Sequence, residues 1–492
     1  MPRFTKHSKK FNPHWVIGVL LLFALLYALV SIVNHLKLRT YALDLGVYTH
    51  ALWQYAHGEW ADCSIFTWPA DNQNLLHDHF DLYIILFSPL VKLFGSYTLL
   101  IIQIISLLLG GWGIYRLIRT YDRKGWLPIL AMICYLSFFG IWHAIAFDYH
   151  SNVVAVNLLP WLLLAIRNKR YIGGLVAVVM LCISKETTAL WTLFILVALL
   201  FDYWKDRTSR QWIIGYAVFS LLYFVVISMV VMPQLGGSSR GFWRYSYLGE
   251  SMGSMALYLI THPLQALRYF FTNFTGDADY NNLKLEFWLC CATSGMLLCL
   301  FKPNYLLMII PPVLMKMMSC DAGFWGVGFH YNVEMAPVLV VGSFLVLCRW
   351  QQRGYHQGAS MVAVLSLFAT LATSIYATNH PLTNIRRDNV CLYSPDHYRQ
   401  SQFDDQYAKQ LMEMIPSDAS VSAAAPFVPH LCLRSNITLF PIMASMSDYM
   451  LVFNDHWSYY DDTRVEFQKT IADTTHYEVL STNGTLYLIH QR

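Results

Sequence analysis

The sequence predicts an all-α polytopic membrane protein of about eleven transmembrane helices, followed by a small soluble α/β domain at the C-terminus. Of the 492 residues, 56% are hydrophobic and only 13% are charged, whereas about 25% of the residues of soluble domains are charged. Several apolar runs reach the ~20 residues that a spanning helix requires. The net charge of +4 is explained by short basic loops and does not indicate a nucleic-acid partner.

The basic residues that flank the apolar runs predict the topology. The first run, HWVIGVLLLFALLYALVSIV, follows a basic tail at residues 1–14 and lacks a small-residue cleavage site, which indicates a retained anchor. Alternate gaps between the later runs are basic, as in RNKR, KDRTSR and RWQQR, and the other gaps hold acids, histidines and aromatic residues. This alternation places the N-terminus inside and the C-terminus outside. The later runs fall near 96–115, 126–147, 151–166, 171–184, 187–203, 212–232, 287–301, 304–318, 336–349 and 358–378.

Residues 171–203 allow two interpretations. One long helix would hold Lys185 and Glu186 in the middle of the membrane, which is costly unless they face a cavity. Two short helices would instead place SKET at the tip of a hairpin and keep RNKR and KDRTSR on the inside. The hairpin is the preferred interpretation.

The pattern divides the chain into a transmembrane domain at 15–378 and an extracytoplasmic α/β domain at 379–492. Two long outer loops interrupt the transmembrane domain, at 36–95 and 233–286. Beyond residue 379, short strand-like runs alternate with helical patches, and Asn483-Gly484 between two such runs predicts a hairpin. Cys391 and Cys432 lie in this domain and can pair if it is exported.

In this topology, ionisable residues at the ends of the spans gather on the outer face, where one polar cavity would collect them. Acids and bases at membrane depth are costly and usually mark a pathway or a site. Asp44 comes first, in YALDLGVYTHALWQYAHG, where the simpler interpretation is an N-cap of the helix that ends at Gly58. The other candidates are His77, Asp78, His79, Asp148, His150, Lys185, Glu186, Arg240, Arg244, His330, Tyr331 and Glu334.

Several of these candidates also have a structural interpretation. HDH and FDYH resemble metal chelates, but histidines two residues apart are not a standard zinc pattern, and polar caps of helices are the alternative. No cofactor is required by the sequence; a divalent metal, if bound, would be held by His79, Asp148 and His150. Lys185 and Glu186 can form a mutual ion pair. The segment RGFWRYSY can be an ordinary aromatic belt at the membrane surface.

Five stretches, in order, carry a resemblance that covers nearly the whole chain: LDLGVYTHALW, HDHFDLYIILFSPLVKLFG, FDYHSNVVAVNLLPWLLLAIRNKR, SKETTAL and SDASVSAAAPFVPHLCLR. They resemble a broad prokaryotic family of uncharacterised multi-pass membrane proteins. That family is similar to a distant branch of the C-type glycosyltransferases, which include the protein O-mannosyltransferases and the lipid A aminoarabinose transferase. Two features depart from the superfamily pattern: Asp44 is a single acid where many relatives have a pair, and HDHF replaces a lysine-proline-proline motif.

The resemblance implies transfer of a sugar from a polyprenyl-phosphate or polyprenyl-pyrophosphate donor to a lipid, glycan or protein acceptor at the outer face of the cytoplasmic membrane. Asp44 occupies the position of the acidic residue after the first span and is assigned as the base. Lys185 and Arg244 are assigned to the donor phosphate, with Arg240 as a further candidate. The remaining polar residues would bind or orient the substrates. A transporter or flippase of lipid-linked glycans and a non-catalytic assembly scaffold are the alternative functions, although no repeat symmetry of the transporter kind is visible.

Overall fold

The computed structural model describes residues 14–123, 125–236, 243–380, 382, 387–399, 403–454 and 463–492. The basic tail predicted at 1–14 lies almost wholly outside these residues, and so does Arg240. Within the described part of the chain, six helices are long and apolar enough to cross a membrane, and a bent helix pair makes a seventh candidate. The six are His14–Leu36, Tyr83–Arg119, Glu186–Tyr203, Arg207–Gln234, Met335–Gln352 and His356–Asn379, and the bent pair is Leu127–Leu136 with Phe139–Ala146.

The remaining predicted spans correspond to short or broken helices. Ser151–Arg167 and Tyr171–Ser184 are apolar but shorter than 18 residues. The run near 287–301 is interrupted at Gly295, whose positive φ of 124° is incompatible with a regular helix. The run near 304–318 is divided into Asn304–Leu307 and Ile310–Met317, and the second piece starts at a proline pair. The chain is thus a mostly helical, multi-pass membrane protein, and the count of eleven spans stays a prediction.

Residues 171–203 form a helical hairpin. The helix Tyr171–Ser184 ends at Lys185, which has an extended backbone, and the helix Glu186–Tyr203 begins directly after it. The ion pair between Lys169 Nζ and Asp206 Oδ2, at 3.0 Å, brings the two outer ends of the segment together. Lys185 therefore lies at the tip of the hairpin, at the end opposite Lys169.

The loop after the first long helix is ordered by short helical pieces. A π-turn at Ala42–Gly46 leads into the helix Val47–Ala56. Gly58 follows the end of this helix with a positive φ of 79°, as the sequence predicts. Short helical turns follow before the chain enters the next long helix. These turns are Pro69–Asp71 and Leu75–His77.

The C-terminal region contains five strands: β1 Val421–Ala423, β2 Ile437–Leu439, β3 Tyr449–Phe453, β4 Tyr477–Thr482 and β5 Leu486–Gln491. They form one mixed sheet in the order β2-β1-β3-β5-β4. The strands β2, β1 and β3 are parallel, and β5 is antiparallel to both β3 and β4. The turn between β4 and β5 contains Asn483 and Gly484, which confirms the predicted hairpin. The helices of this region are Arg387–Val390, Asp405–Glu413, Val428–Leu431 and Thr463–Ala472.

The sheet is joined to the helices by a continuous buried core and by polar contacts. One apolar cluster includes Tyr27 of the first helix, Val428 and strand residues such as Leu488. Cys391 and Cys432 are both free thiols in this core, so the suggested disulfide is wrong. Each thiol instead donates to a nearby carbonyl, that of Thr378 and that of Pro429.

Candidate functional site

The π-turn at residues 41–46, here called the Asp44 turn, is held by a carboxylate from another element. The Asp148 side chain accepts a hydrogen bond from the Tyr41 amide at 2.9 Å and also bonds the Leu45 amide. The Asp44 side chain makes no capping bond in either this turn or the following helix. The interpretation of Asp44 as an N-cap is therefore wrong: Asp148 satisfies the free amides, and the Asp44 carboxylate is left for other contacts.

The Asp44 carboxylate contacts His150. Nε2 of His150 lies 3.1 Å from Oδ1 of Asp44, and 27% of the Asp44 side chain is exposed. Burial lowers the pKa of His150, although Asp44 opposes this effect. Because an ionised carboxylate only accepts hydrogen bonds, a neutral His150 donates its Nε2–H to Asp44.

The His150 ring is held by two aromatic neighbours and through its backbone. It stacks on His330 at a centroid distance of 3.4 Å and on Phe147 at 5.3 Å. Its amide donates to Oε1 of Gln103 at 3.1 Å. This packing leaves the imidazole a single position, facing Asp44.

Asp148 lies next to this pair, but its carboxylate points to the backbone of the Asp44 turn. Its backbone is left-handed, with φ 43°, which is uncommon for a residue other than glycine and directs its carboxylate to the Asp44 turn. Burial and the neighbouring Asp44 carboxylate both raise the pKa of Asp148. Asp148 thus supports the turn and is not placed to bind a substrate.

Lys185 lies at the tip of the hairpin, half-buried, within electrostatic range of several site residues. Its ammonium group influences Asp81, His150 and Glu334. The neighbouring Glu186 accepts hydrogen bonds from Nδ1 of His79 and from the Phe80 amide, both at 3.2 Å. The Glu186 carboxylate is thus committed to the first loop by two hydrogen bonds, and the Lys185 ammonium makes no hydrogen bond among the described residues.

Two further acids belong to this cluster: Asp81, which the sequence analysis did not name, and Glu334, which it named as a candidate without a specific role. Asp81 is buried, caps the Tyr83 amide at 2.9 Å and has one oxygen without a partner. Burial raises its pKa to about 7, against the opposing effects of Ser151 and Lys185. Its position directly before an apolar helix, as the last acid of HDHFD, was the available signal.

The second of these acids, Glu334, forms a further pair in the same cluster. Its carboxylate accepts a hydrogen bond from the Asn152 amide nitrogen at 2.8 Å. The sequence pattern singled out Glu334 as part of FHYNVE but gave it no role. It links the segment after His150 to the start of the helix Met335–Gln352.

An aromatic stack borders the cluster. The Tyr331 ring stacks on the Phe324 ring with 3.9 Å between the ring centroids. The Arg244 guanidinium also lies over the Phe324 ring, 4.4 Å from its centroid. Arg244 also forms an ion pair with Asp321 at 3.2 Å. Tyr331 lies within electrostatic range of both Asp44 and Arg244, and burial raises its pKa. Arg244 is therefore near the site but already has a carboxylate partner.

The first two members of HDH are less central. Nδ1 of His77 bonds its own loop, at the Asn74 carbonyl, 2.8 Å away. Asp78 is half-buried and lies within electrostatic range of Tyr48. Tyr48 in turn lies within electrostatic range of Asp44.

The residues proposed for a metal do not converge. His79 is bonded to Glu186, Asp148 to the Tyr41 amide, and His150 to Asp44. Among the residues that the structure describes, no group of three histidine, cysteine or acidic side chains is arranged to hold an ion. In this structure the three side chains instead bind Glu186, the Tyr41 amide and Asp44.

Comparison with known proteins identifies a family and a fold. Residues 34–481 match the model of a family described as predicted membrane protein, DUF2079. No curated protein sequence matches the chain. The structure is similar to ArnT from Cupriavidus metallidurans, both bound to undecaprenyl phosphate (TM-score 0.53, 11% identity, 97% of this chain and 98% of that one) and in the apo state (0.52, 12%, 96% and 98%). An oligosaccharyltransferase from Archaeoglobus fulgidus, tethered to an acceptor peptide, gives 0.49 at 12% identity over 98% of this chain and 74% of that one.

Proposed function

This chain belongs to the DUF2079 family of predicted membrane proteins, and we propose that it is a membrane glycosyltransferase that uses a polyprenyl-linked sugar donor. The C-type glycosyltransferase fold that it shares with ArnT supports the class of reaction. The ArnT structure bound to undecaprenyl phosphate supports a lipid phosphate as the carrier. The acceptor is a hydroxyl-bearing lipid, glycan or protein at the outer face of the cytoplasmic membrane.

The contact between Asp44 and His150 is the observation that carries this proposal. A base must be ionised, accessible to the acceptor and fixed in direction. The Asp44 side chain is 27% exposed, while its partner His150 is buried and held by stacking. Asp44 therefore combines an open face with a fixed orientation, which no other acid of the cluster does among the described residues.

The proposed step is an inverting displacement. Asp44 removes the proton from the acceptor hydroxyl as that oxygen forms a bond to the anomeric carbon. The bond between this carbon and the phosphate oxygen breaks, and the lipid phosphate leaves with the electron pair. Asp44 then releases its proton to water. General-base catalysis of this kind contributes about 10²–10⁴-fold.

The leaving phosphate requires a cation, and Lys185 is the group assigned to it. Its ammonium makes no hydrogen bond among the described residues and lies within electrostatic range of His150. A cation in a site shielded from water stabilises the developing negative charge. Arg244 is the second candidate, although Asp321 already pairs with it. Arg240 keeps its assignment as a candidate from the sequence alone.

The proposed topology places this site outside. Eleven spans with an inside N-terminus put the Asp44 turn, the hairpin tip at Lys185 and the domain at 379–492 on the outer face. The transmembrane domain at 15–378 then presents one polar surface to lipid-linked donors that have been flipped outward.

A glycolipid analysis of a deletion strain tests the proposal. We expect the strain to lack one glycosylated product and to accumulate its acceptor or its polyprenyl-linked donor, measured by mass spectrometry of total lipids and of cell-envelope glycans. The wild-type gene should restore the product. An unchanged glycan profile, or an accumulated lipid-linked glycan on the inner leaflet as expected of a flippase, would contradict it.

A further inference from the structure

The C-terminal domain packs directly against the Asp44 turn. The helix Val428–Leu431 approaches Gly46 so closely that a methyl group there would lie 2.9 Å from Cγ1 of Val428 and 3.6 Å from the Pro429 nitrogen. Gly46 has a right-handed helical backbone, with φ −62°, that any residue adopts. The small space beside Val428, and not the backbone conformation, therefore favours glycine at this position.

Two hydrogen bonds extend this contact beyond the turn. Nδ1 of His50, in the buried face of the helix Val47–Ala56, donates to the Cys432 carbonyl at 3.0 Å. The Leu439 amide of strand β2 donates to the Ile65 carbonyl at 2.7 Å. The domain thus contacts the first loop both at the Asp44 turn and after it.

The same turn is also held by the transmembrane domain. Asp148 accepts from the Tyr41 amide, and His150 donates to the Asp44 carboxylate. The Asp44 turn, only six residues long, is consequently contacted by two parts of the chain that are distant in sequence. Displacement of the Val428 side would let the turn move away from His150.

We infer that the C-terminal domain is a positioning element for Asp44, acting through Gly46, Val428 and His50. The domain presses the turn onto Asp148 and His150, so that the carboxylate keeps its bond to the imidazole. This inference deepens the proposed function, on which its catalytic consequence rests. The three residues touch no substrate in this account; they set the direction of the group that does.

Chemical labelling of Asp44 in the full-length protein tests the inference without any substrate. A water-soluble carbodiimide with an amine couples to carboxyl groups, and peptide mass spectrometry gives the rate at each acid. A carboxylate that loses a hydrogen-bond donor is more open and more readily protonated, and so it reacts faster. We expect Gly46→Ala to raise the labelling rate of Asp44 several-fold, while Asp321, with 51% of its side chain exposed, keeps its rate as the internal reference.

The double variant Gly46→Ala/Val428→Ala removes the methyl group that the new one meets, and it should return the Asp44 rate to near the wild-type value. Gly18→Ala is the matched control, because nothing lies within 4 Å of a methyl group there. If Gly46→Ala does not fold, His50 provides a second pair. His50→Ala should raise the rate, whereas His50→Asn, which still donates to the Cys432 carbonyl, should not.

An unchanged Asp44 rate in Gly46→Ala and His50→Ala would overturn the inference, and so would an equal rise at every carboxylate, which indicates general loosening. A different result would contradict the proposed function. Product formation by Asp44→Asn at the wild-type level would remove the base, but it would leave the labelling result and the packing of the domain as they are.

Discussion

At the scale of single residues, the site separates groups that face a substrate from groups that hold them. Among the described site residues, the Asp44 carboxylate is partly exposed and the Lys185 ammonium makes no hydrogen bond, whereas His150, Asp148 and Glu186 bind protein partners. The chemistry thus depends on few residues. Their neighbours determine the direction of those few.

Lys185 should be far more sensitive to substitution than an exposed lysine. We expect Lys185→Met to be produced and folded but to form roughly 10²-fold less product, because the developing phosphate charge loses its cation. Lys205→Met is the control, since Lys205 is exposed beyond the other end of the same helix. The two variants are compared by the amount of product that they form per folded protein in membranes. Similar product levels in the two variants would exclude Lys185 from the site.

Asp81 should make the stability of the protein fall as the pH rises. Its pKa is about 7 in the fold and near the ordinary value of 3.8 when unfolded, so only the folded state holds this proton between those values. Stability is therefore lost as the pH rises through that window, by about 1.4 kcal/mol per unit of pKa difference. Asp81→Asn should flatten this part of the dependence of Tm on pH, measured in detergent. Asp71→Asn, at an exposed acid, should keep the wild-type slope; a wild-type slope in Asp81→Asn would refute the assignment.

At the scale of elements, two irregular segments build the site: the π-turn at Ala42–Gly46 and the hairpin tip at Lys185. Single π-turns are rare and are frequently found at functional sites. Each segment leaves a helix end whose polar groups are satisfied from elsewhere, by Asp148 at the turn and by loop residues at the tip. The regular helices around them fix where these segments meet.

Topology reporters test the arrangement of these elements in the membrane. The Lys169–Asp206 ion pair places both ends of the hairpin on one side, and the basic residues of KDRTSR predict that this side is the cytoplasm. A reporter inserted at 206 should therefore behave as cytoplasmic, and one fused after Arg492 as extracytoplasmic. A cytoplasmic reporter after Arg492 would contradict the predicted topology and the outer site.

At the scale of the whole molecule, the C-terminal domain is docked on the first loop and is part of the same core. The buried Arg39 guanidinium donates to four carbonyls of the C-terminal region, those of Asp388, Asp396, His397 and Arg399, at 2.9–3.3 Å. Lys37 adds an ion pair to Asp405 at 3.1 Å. The domain and the loop therefore stabilise one another.

Arg39→Ala should uncouple this docking. It leaves buried carbonyls without donors, and hydrogen bonds to charged groups contribute about 1.5–3 kcal/mol each. We expect a lower Tm and faster proteolysis within residues 387–413, measured by gel and mass spectrometry. Arg399→Ala removes an exposed pair with Asp396, worth about 0–1 kcal/mol, and should change neither. Equal effects would show that the Arg39 bonds do not hold the domain.

The sequence was sufficient for the class of fold, and it named most of the polar residues that the structure brings together around Asp44. Hydropathy and basic loops predicted a multi-pass membrane protein, and the Asn483-Gly484 turn and the break at Lys185 occur where the pattern placed them. Sequence could not show that Asp148 reaches across to the Tyr41 amide, because that contact joins positions 107 residues apart. For the same reason the sequence left a cap open as the alternative role of Asp44 and offered Asp148 as a metal ligand. Asp81 was overlooked, although its place as the last acid of HDHFD before an apolar helix was a signal.

The substitution Asp44→Asn tests the central claim most directly, namely that Asp44 is the base of a glycosyl transfer. Asparagine keeps the size of the side chain and can still accept from His150 but cannot take a proton. We expect the folded variant, in membranes of the deletion strain, to form roughly 10²-fold less of the missing product than the wild type, with an unchanged Tm. Wild-type product formation by Asp44→Asn would contradict the account.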